Sequence, residues 1–163
     1  MVVRIRVTAG EGWGENFMEL SEYITVDEVK RVCKVLGLRD WTALEKVEVL
    51  SEEAEIILAA VNTQGMNIDI EDFRQGLEVE LEHGIRFEDA NVTNNHPILT
   101  GKIVLAHLKE SLDYYKRLEV AEIEGDLLKA VDAGDSAKVQ RLYEKLIRAR
   151  LLLAQTESNI LGD

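Results

Sequence analysis

Proline and cysteine are nearly absent: one of each stands in the 163 residues. A single cysteine excludes an internal disulfide framework and a cysteine-rich zinc site. A single proline leaves helices free to run long. No apolar run approaches the roughly 18 residues of a transmembrane helix. The N-terminal stretch MVVRIRVTAGEGWG has no signal-peptide core. Together these predict a cytoplasmic protein. Positive charge is also scarce, with 19 Lys and Arg against 31 Asp and Glu and a net charge of −12. That balance argues against nonspecific binding to nucleic acid or an anionic membrane. What is present is an ordinary 46% of hydrophobic residues, which excludes wholesale disorder. The length suits one domain or a small pair, with any boundary near Gly65.

At the start of the chain Val3, Ile5 and Val7 alternate with Arg4, Arg6 and Thr8, as in a half-buried strand. Gly10, Gly12 and Gly14 follow without a lysine, so they read as a turn and not as a phosphate loop. Thr25 and Glu28 open a helix carrying Val29, Val32, Cys33 and Leu36, and Gly37 closes it. Cys33 on this stripe reads as a small apolar filler. Asp40 to Leu50 fits either a short capped helix or a second strand through Val47 and Val49. Ser51 then opens a helix carrying Ala54, Ile57, Leu58 and Val61. Asp69 caps a helix over 70–83 with Phe73, Leu77 and Leu81 on its core stripe, and Gly84 is expected to end it in the left-handed conformation.

After an Asn- and Asp-rich loop, Pro97 suits the first turn of a helix whose pattern continues to about Ala133. A final helix spans Ser136 to about Ile160. There Val139, Leu142, Leu146, Ala149, Leu153, Thr156 and Ile160 step by three and four, a heptad seam. Leu105, Leu108, Leu112 and Tyr115, then Val120, Ile123, Leu127 and Val131, supply the opposing seam. The two helices are expected to pair as an antiparallel hairpin through Asp132–Asp135. Its length, roughly 50 Å at about 1.5 Å per residue, requires either a break near Glu119–Gly125 or a partner to cover it. Lys138, Arg141, Lys145 and Arg148 form a basic face, expected to pair across the hairpin with Glu119, Glu122, Glu124 and Asp126.

All three histidines lie between residues 83 and 107. Gly76, Glu80 and His83 share a stripe beside the core face of their helix. His107 and Glu110 stand at the same i, i+3 spacing on the next helix, with Tyr114 alongside. E-x-x-H facing H-x-x-E is how helical bundles hold divalent metals. That donor set suits iron, manganese or zinc, with Glu80, His83, His107 and Glu110 as the ligands and Tyr114 donating from behind. The same groups equally make a metal-free tether between the helices, and His83 near a helix end equally serves the free carbonyls there. His96, just before Pro97, is a helix cap or an exposed residue.

Longer strings are also informative. E-D-F-R-Q-G-L-E-V-E-L-E-H-G at 71–84, N-V-T-N-N at 91–95, T-G-K-I at 100–103 and A-H-L-K-E-S-L-D-Y-Y-K-R-L at 106–118 resemble an uncharacterised prokaryotic and phage-associated domain family. The resemblance covers residues 52–119 and implies a grouping without a mechanism. Gly76, Glu80, His83, Gly84, Asn91, Thr93, Lys102, His107, Glu110 and Tyr114 fall inside its strings. Members often carry an aspartate after the asparagines, where this chain has Asn95-His96.

These patterns predict a mainly α (α+β) fold: a small strand-containing N-terminal part over 1–66, then a helical part over 67–163 with a central helix pair and a long C-terminal hairpin. Three functions are weighed. The first is a non-enzymatic, self-associating assembly protein, a homodimer through the hairpin. The second is a protein holding a divalent metal in the carboxylate–histidine set. The third follows from the E-x-x-D of Glu110 and Asp113, which resembles magnesium-dependent helical nucleotide pyrophosphatases. Its upstream E-x-x-E, Glu52 to Glu55, falls on a different helix from the expected one.

Overall fold

The computed structural model describes residues 3–7 and 16–20 by their backbone, and residues 24–162. Val3–Val7 (β1) and Asn16–Leu20 (β2) form a two-stranded antiparallel ribbon. The glycine turn expected at 10–14 lies outside the described residues. The body over 24–162 holds six α-helices and no strand: α1 Val26–Leu36, α2 Ser51–Val61, α3 Ile70–Arg86, α4 Pro97–Glu110, α5 Tyr114–Asp132 and α6 Ser136–Gly162. That corrects the α+β expectation to an all-helical one. Val47 and Val49, the candidate second strand, lie in irregular chain. Val49 is instead buried as a single apolar plug, and its N–H donates to the Glu78 carboxylate at 3.1 Å. With its hydrogen bond taken by a side chain, the segment has no strand partner to recruit.

Several helix limits follow the local chemistry. Thr25 accepts from the Glu28 N–H at 3.2 Å, and Gly37 closes α1 at φ 71°. Asp69 accepts from Glu71 and Asp72 at the start of α3. Asp40 caps only a short 3₁₀ turn at Trp41–Ala43. At α2 the capping position is Leu50, not Ser51. The buried Glu53 carboxylate reaches back to the Leu50 N–H at 3.2 Å. Gly84 does not end α3, which continues to Arg86. It is a glycine because a side chain there would strike the Asn95 amide. Asn91 also donates to the Gly84 carbonyl at 3.0 Å, so the loop over 87–96 is tied onto this helix.

One core draws on both sides of residue 66. Trp41, Ala54 and Ile57 meet Phe73, Leu77, Leu81, Val104 and Leu108, with Val29 and Cys33 from α1. Glycines set how closely the helices approach. A Cβ on Gly76 would lie 2.6 Å from both the Tyr115 ring and Val104. Gly76→Ala should therefore destabilise the fold by about 1–2 kcal/mol, overpacking being partly offset by alanine's better helix propensity. A thermal melt reads this effect.

The helix expected from Pro97 to Ala133 is broken at Ser111–Asp113, earlier than the candidate break at Glu119–Gly125. Asp113 is 2% exposed. It accepts from the Ser111 hydroxyl and from Arg117 at 3.0 and 2.7 Å. Ser111 takes an extended conformation at φ −157°. Side chains that bond locally offer the backbone an alternative to the next helical turn. The break throws Leu112 outward, out of the expected seam. Beyond it, α5 and α6 form the antiparallel hairpin, turning through Gly134 at φ 68°. Their seam is a separate small core of Ile123, Leu146 and Ala149, flanked by Val120, Leu127 and Leu142.

His96 caps α4. Its Nδ1 accepts from Ile98 and Leu99 at 3.2 and 3.4 Å. Burial pushes this imidazole below its ordinary value, reinforced by Arg31 and Lys102 and opposed by Glu28 and a backbone bond. Only the neutral ring offers Nδ1 a lone pair. A group whose folded pKa is lowered contributes stability that is present above its unfolded pKa, about 6.5 for histidine, and lost as pH falls. Denaturant unfolding at pH 7.5 and 5.5 should therefore show an acid loss that His96→Asn, which caps without titrating, largely removes. His96→Ala should cost about 1 kcal/mol even at pH 7.5.

Candidate functional site

Helices α3 and α4 fold back on one another through the loop over 87–96, and their facing edges carry the histidines. On α3, Glu80 and His83 lie beside the buried stripe of Phe73, Leu77 and Leu81. On α4, Thr100, Ile103 and His107 fall at i, i+3 and i+7, one edge of that helix. The Glu80 carboxylate is the hub. His107 Nε2 stands 3.7 Å from Glu80 Oε1 and His83 Nδ1 stands 3.9 Å from Glu80 Oε2. Both are ion-pair distances and too long for hydrogen bonds.

Among the described residues the one hydrogen bond to this carboxylate comes from Tyr115, whose hydroxyl donates to Oε1 at 3.1 Å. Burial and the Glu80 charge beside it push the phenol well above its ordinary range, so it stays protonated and keeps donating. Tyr114, expected to be that donor, instead stacks flat on His107 with ring centroids 4.2 Å apart. Tyr115 meets both rings edge-on. The exchange of roles follows from the helix break at Ser111–Asp113. It resets the rotation of α5, turning Tyr115 inward to α3 and leaving Tyr114 against α4.

Of the four residues expected to converge, the structure brings together Glu80, His83 and His107. Glu110 is exposed and forms no ion pair or hydrogen bond through its side chain among the described residues. Among those residues no group of three or more His, Cys, Asp and Glu side chains is placed to hold a metal ion. Asp113, half of the E-x-x-D spacing, is committed to Arg117 and Ser111. Glu52 and Glu55 lie exposed on α2.

A cavity of about 220 Å³ opens beside Glu80, lined by Glu80, His83, Phe87, Val92, Thr100 and Ile103 among others. Thr100 is a residue that the sequence patterns missed. It is 3% exposed, and only its position one turn ahead of Ile103 could have placed it on this edge.

The hairpin presents a second surface. Tyr143, Ile147 and Leu151 recur at i, i+4 and i+8 on α6 and, with Leu128 and Val131 of α5, are each more than half exposed. Val131 and Tyr143 line one groove. The Lys145–Glu119 ion pair, at 3.2 Å, lies on the other side, where Lys145 and Glu119 border a cleft against Val47 and Glu78. The apolar face thus points away from the core of the protein. Of the expected basic face, Lys145 alone finds an acid across the hairpin. Lys138, Arg141 and Arg148 form no ion pair among the described residues. Glu124 is taken by Arg150 and Asp126 by Lys129.

No helix among the described residues is long and apolar enough to cross a membrane. No curated protein and no solved structure matches the chain. Residues 29–124 match the family described as "Protein of unknown function (DUF5661)". The matched span takes in the residues from within α1 to the middle of α5, including Glu80, His83, His107 and Tyr115, and stops before α6. It covers more than half of the 163 residues, and the chain belongs to the DUF5661 family.

Proposed function

We propose that this protein is a self-associating assembly module, two copies joining through the outer faces of their α5–α6 hairpins. The observation that carries this reading is the exposure of five large apolar side chains on the hairpin, Leu128, Val131, Tyr143, Ile147 and Leu151, of which Val131 and Tyr143 line one groove. Folded monomers rarely leave such patches uncovered without a binding role. Tyr143, Ile147 and Leu151 are also a second apolar stripe on α6, distinct from the seam that already binds α5.

Size and charge both favour a second copy. The 19 residues of α5 extend about 28 Å, and two helices side by side are about 20 Å wide. Pairing two such faces covers roughly 1,100 Å² in total, about the minimum for a specific interface. Residues 136–162 carry five basic and two acidic residues in a chain of net charge −12, so α6 is where two acidic molecules repel least. In an antiparallel pairing centred on Ile147, Tyr143 of one copy faces Leu151 of the other. Glu144 then comes to the flank carrying Arg148, and the reverse holds for the second copy.

Light scattering on the full chain tests the reading. The expected mass is that of a dimer at about 100 μM, with Ile147→Asp monomeric and still helical by circular dichroism. The substitution puts a charge at both sites of a two-fold contact, so association should weaken about a hundredfold or more. Salt should strengthen the wild-type dimer by screening the net charge. A monomeric wild-type mass at that concentration, or an unchanged mass in Ile147→Asp, overturns the proposal.

A further inference from the structure

The cavity beside Glu80 carries chemistry that neither the hairpin face nor the packing of the helices uses. Its walls are apolar at Phe87, Val92 and Ile103, and its polar lining comes from Glu80 and His83 of α3, Thr100 of α4 and the loop residues Asn91 and Thr93, the last two engaged in the loop's own hydrogen bonds. Thr100 is the informative one. A helical threonine buried to 3% exposure ordinarily bonds its hydroxyl back to the carbonyl four residues earlier. Among the described residues the hydroxyl has no hydrogen-bond partner, and it is not sealed in the core, because no buried side-chain oxygen or nitrogen there lacks a partner; it is left open at the cavity that Thr100 lines. Glu80 is half open in the same sense. Tyr115 occupies Oε1, whereas among the described residues Oε2 faces the His83 ring at 3.9 Å, beyond hydrogen-bond reach. An acceptor oxygen and a free hydroxyl therefore border one small, largely apolar space.

The charge of the lining selects the ligand. One carboxylate contributes, and among the described residues no lysine or arginine lines the cavity, so anions are repelled and a donor-rich cation is drawn in. Tyr115 orients the carboxylate from behind, and His107 stacked on Tyr114 walls off its far side. At about 220 Å³ the space is smaller than the roughly 300–1,000 Å³ of drug-sized sites, which limits the occupant to a compact molecule. We propose that this cavity binds a small organic amine, its ammonium donating to Glu80 Oε2 and Thr100 Oγ1 and its short apolar body lying against Phe87, Val92 and Ile103. An ammonium fits this pair because it has three donors and no acceptor, and its desolvation is offset by a charge-assisted bond. A free metal ion makes a poorer occupant, because among the described residues no three ligating side chains stand around one point.

Titration calorimetry on the full chain, with phenylethylamine as the probe, tests this. Two isosteres, phenylethanol and phenylpropanoate, serve as controls for charge. The amine should bind saturably, phenylethanol about tenfold more weakly and phenylpropanoate weaker still. Glu80→Gln should cut amine affinity about tenfold or more while leaving phenylethanol nearly unchanged. Thr100→Val keeps the shape and removes the hydroxyl, so it should weaken the amine several-fold without lowering the melting temperature. That combination separates a ligand contact from a packing role. No saturable heat up to about 10 mM amine, equal affinity for all three probes, or unaltered amine binding in Glu80→Gln overturns the proposal. Amine binding by the monomeric Ile147→Asp variant is expected to be intact, so this test stands apart from that of the hairpin face.

Discussion

Glu53→Ala should cost about 3 kcal/mol of folding stability and lower the melting temperature by about 10 °C. Glu53 is 4% exposed and gathers a set of donors that no neighbour could take over. Arg39 donates from its backbone N–H at 3.0 Å and from Nε and Nη2 at 3.1 and 2.7 Å. The Leu50 N–H donates at 3.2 Å and Trp41 Nε1 lies at 3.4 Å. Burial, the largest single influence, pushes this carboxyl up, yet the bonds from Arg39 and the Leu50 N–H together outweigh it, and the group is held below the usual carboxylate range. The ion is therefore satisfied and not merely trapped.

Removing one partner of a buried pair costs about 3–5 kcal/mol. The lower end applies because the Arg39 side chain, 36% exposed, can return to water. Arg39→Ala is the harsher direction, since it leaves the carboxylate buried without its counter-charge. The sign of the pH effect follows. A carboxyl with a lowered folded pKa contributes stability present above its unfolded value, and that stability is lost as pH falls through the folded value. The wild type should accordingly lose stability as pH falls through the acid range, whereas Arg39→Ala, already weakened at pH 7, should lose less over the same range because its Glu53 no longer gains from being ionised. Chemical denaturation across pH 3–7 reads both effects, and equal stability of wild type and Glu53→Ala at pH 7 would contradict this account.

Gly101→Val should be the most damaging single substitution in α4, at about 3 kcal/mol, near the top of the usual overpacking range. A Cβ alone at this position would sit 2.5 Å from Ile57 Cγ2 and 3.4 Å from Val61, with the Phe73 ring at 3.5 Å. Three helices cross here, and Ile57 and Phe73 are themselves fully buried, so nothing nearby can retreat to water. Close-packed interiors transmit such a displacement instead of absorbing it. Because α4 carries Thr100, Ile103 and His107, the same shift should disturb the Glu80 cavity. The expected readout is a large fall in denaturation midpoint together with loss of the aromatic circular-dichroism signal from the Tyr114–His107–Tyr115 cluster. A melt within about 1 °C of wild type would show that the crossing is looser than the distances imply.

Element by element, the helical pattern was legible where periodicity and caps agreed. Thr25, Asp69 and Pro97 mark helix starts, and the heptad of α6 with its partner in α5 foretells the hairpin. The convergence of Glu80, His83 and His107 was also legible, because i, i+3 spacing on two antiparallel neighbours leaves few alternatives. The role of Gly84 was not, since a glycine that ends a helix and one that lets a loop approach look alike in a sequence. Nor was the break at Ser111–Asp113, where no Gly or Pro stands and a buried aspartate redirects the chain. That one unforeseen turn exchanged the roles of Tyr114 and Tyr115 and separated Glu110 from the other three groups.

Sequence alone decided what is local: which segments are amphipathic, which ends are capped, and that a strongly acidic chain with one cysteine and one proline would be built of long helices. Tertiary structure decided whatever depends on the rotation of one helix against another. That includes the choice of Tyr115 over Tyr114, the placement of Thr100 on the lining of the Glu80 cavity, the burial of Glu53 against Arg39, and the outward face of Tyr143, Ile147 and Leu151. The physical reason is angular. Periodicity fixes residues on one helix relative to each other, but the phase between two helices is set by packing volumes and by breaks such as Asp113, and a single residue of phase rotates every side chain by about 100°.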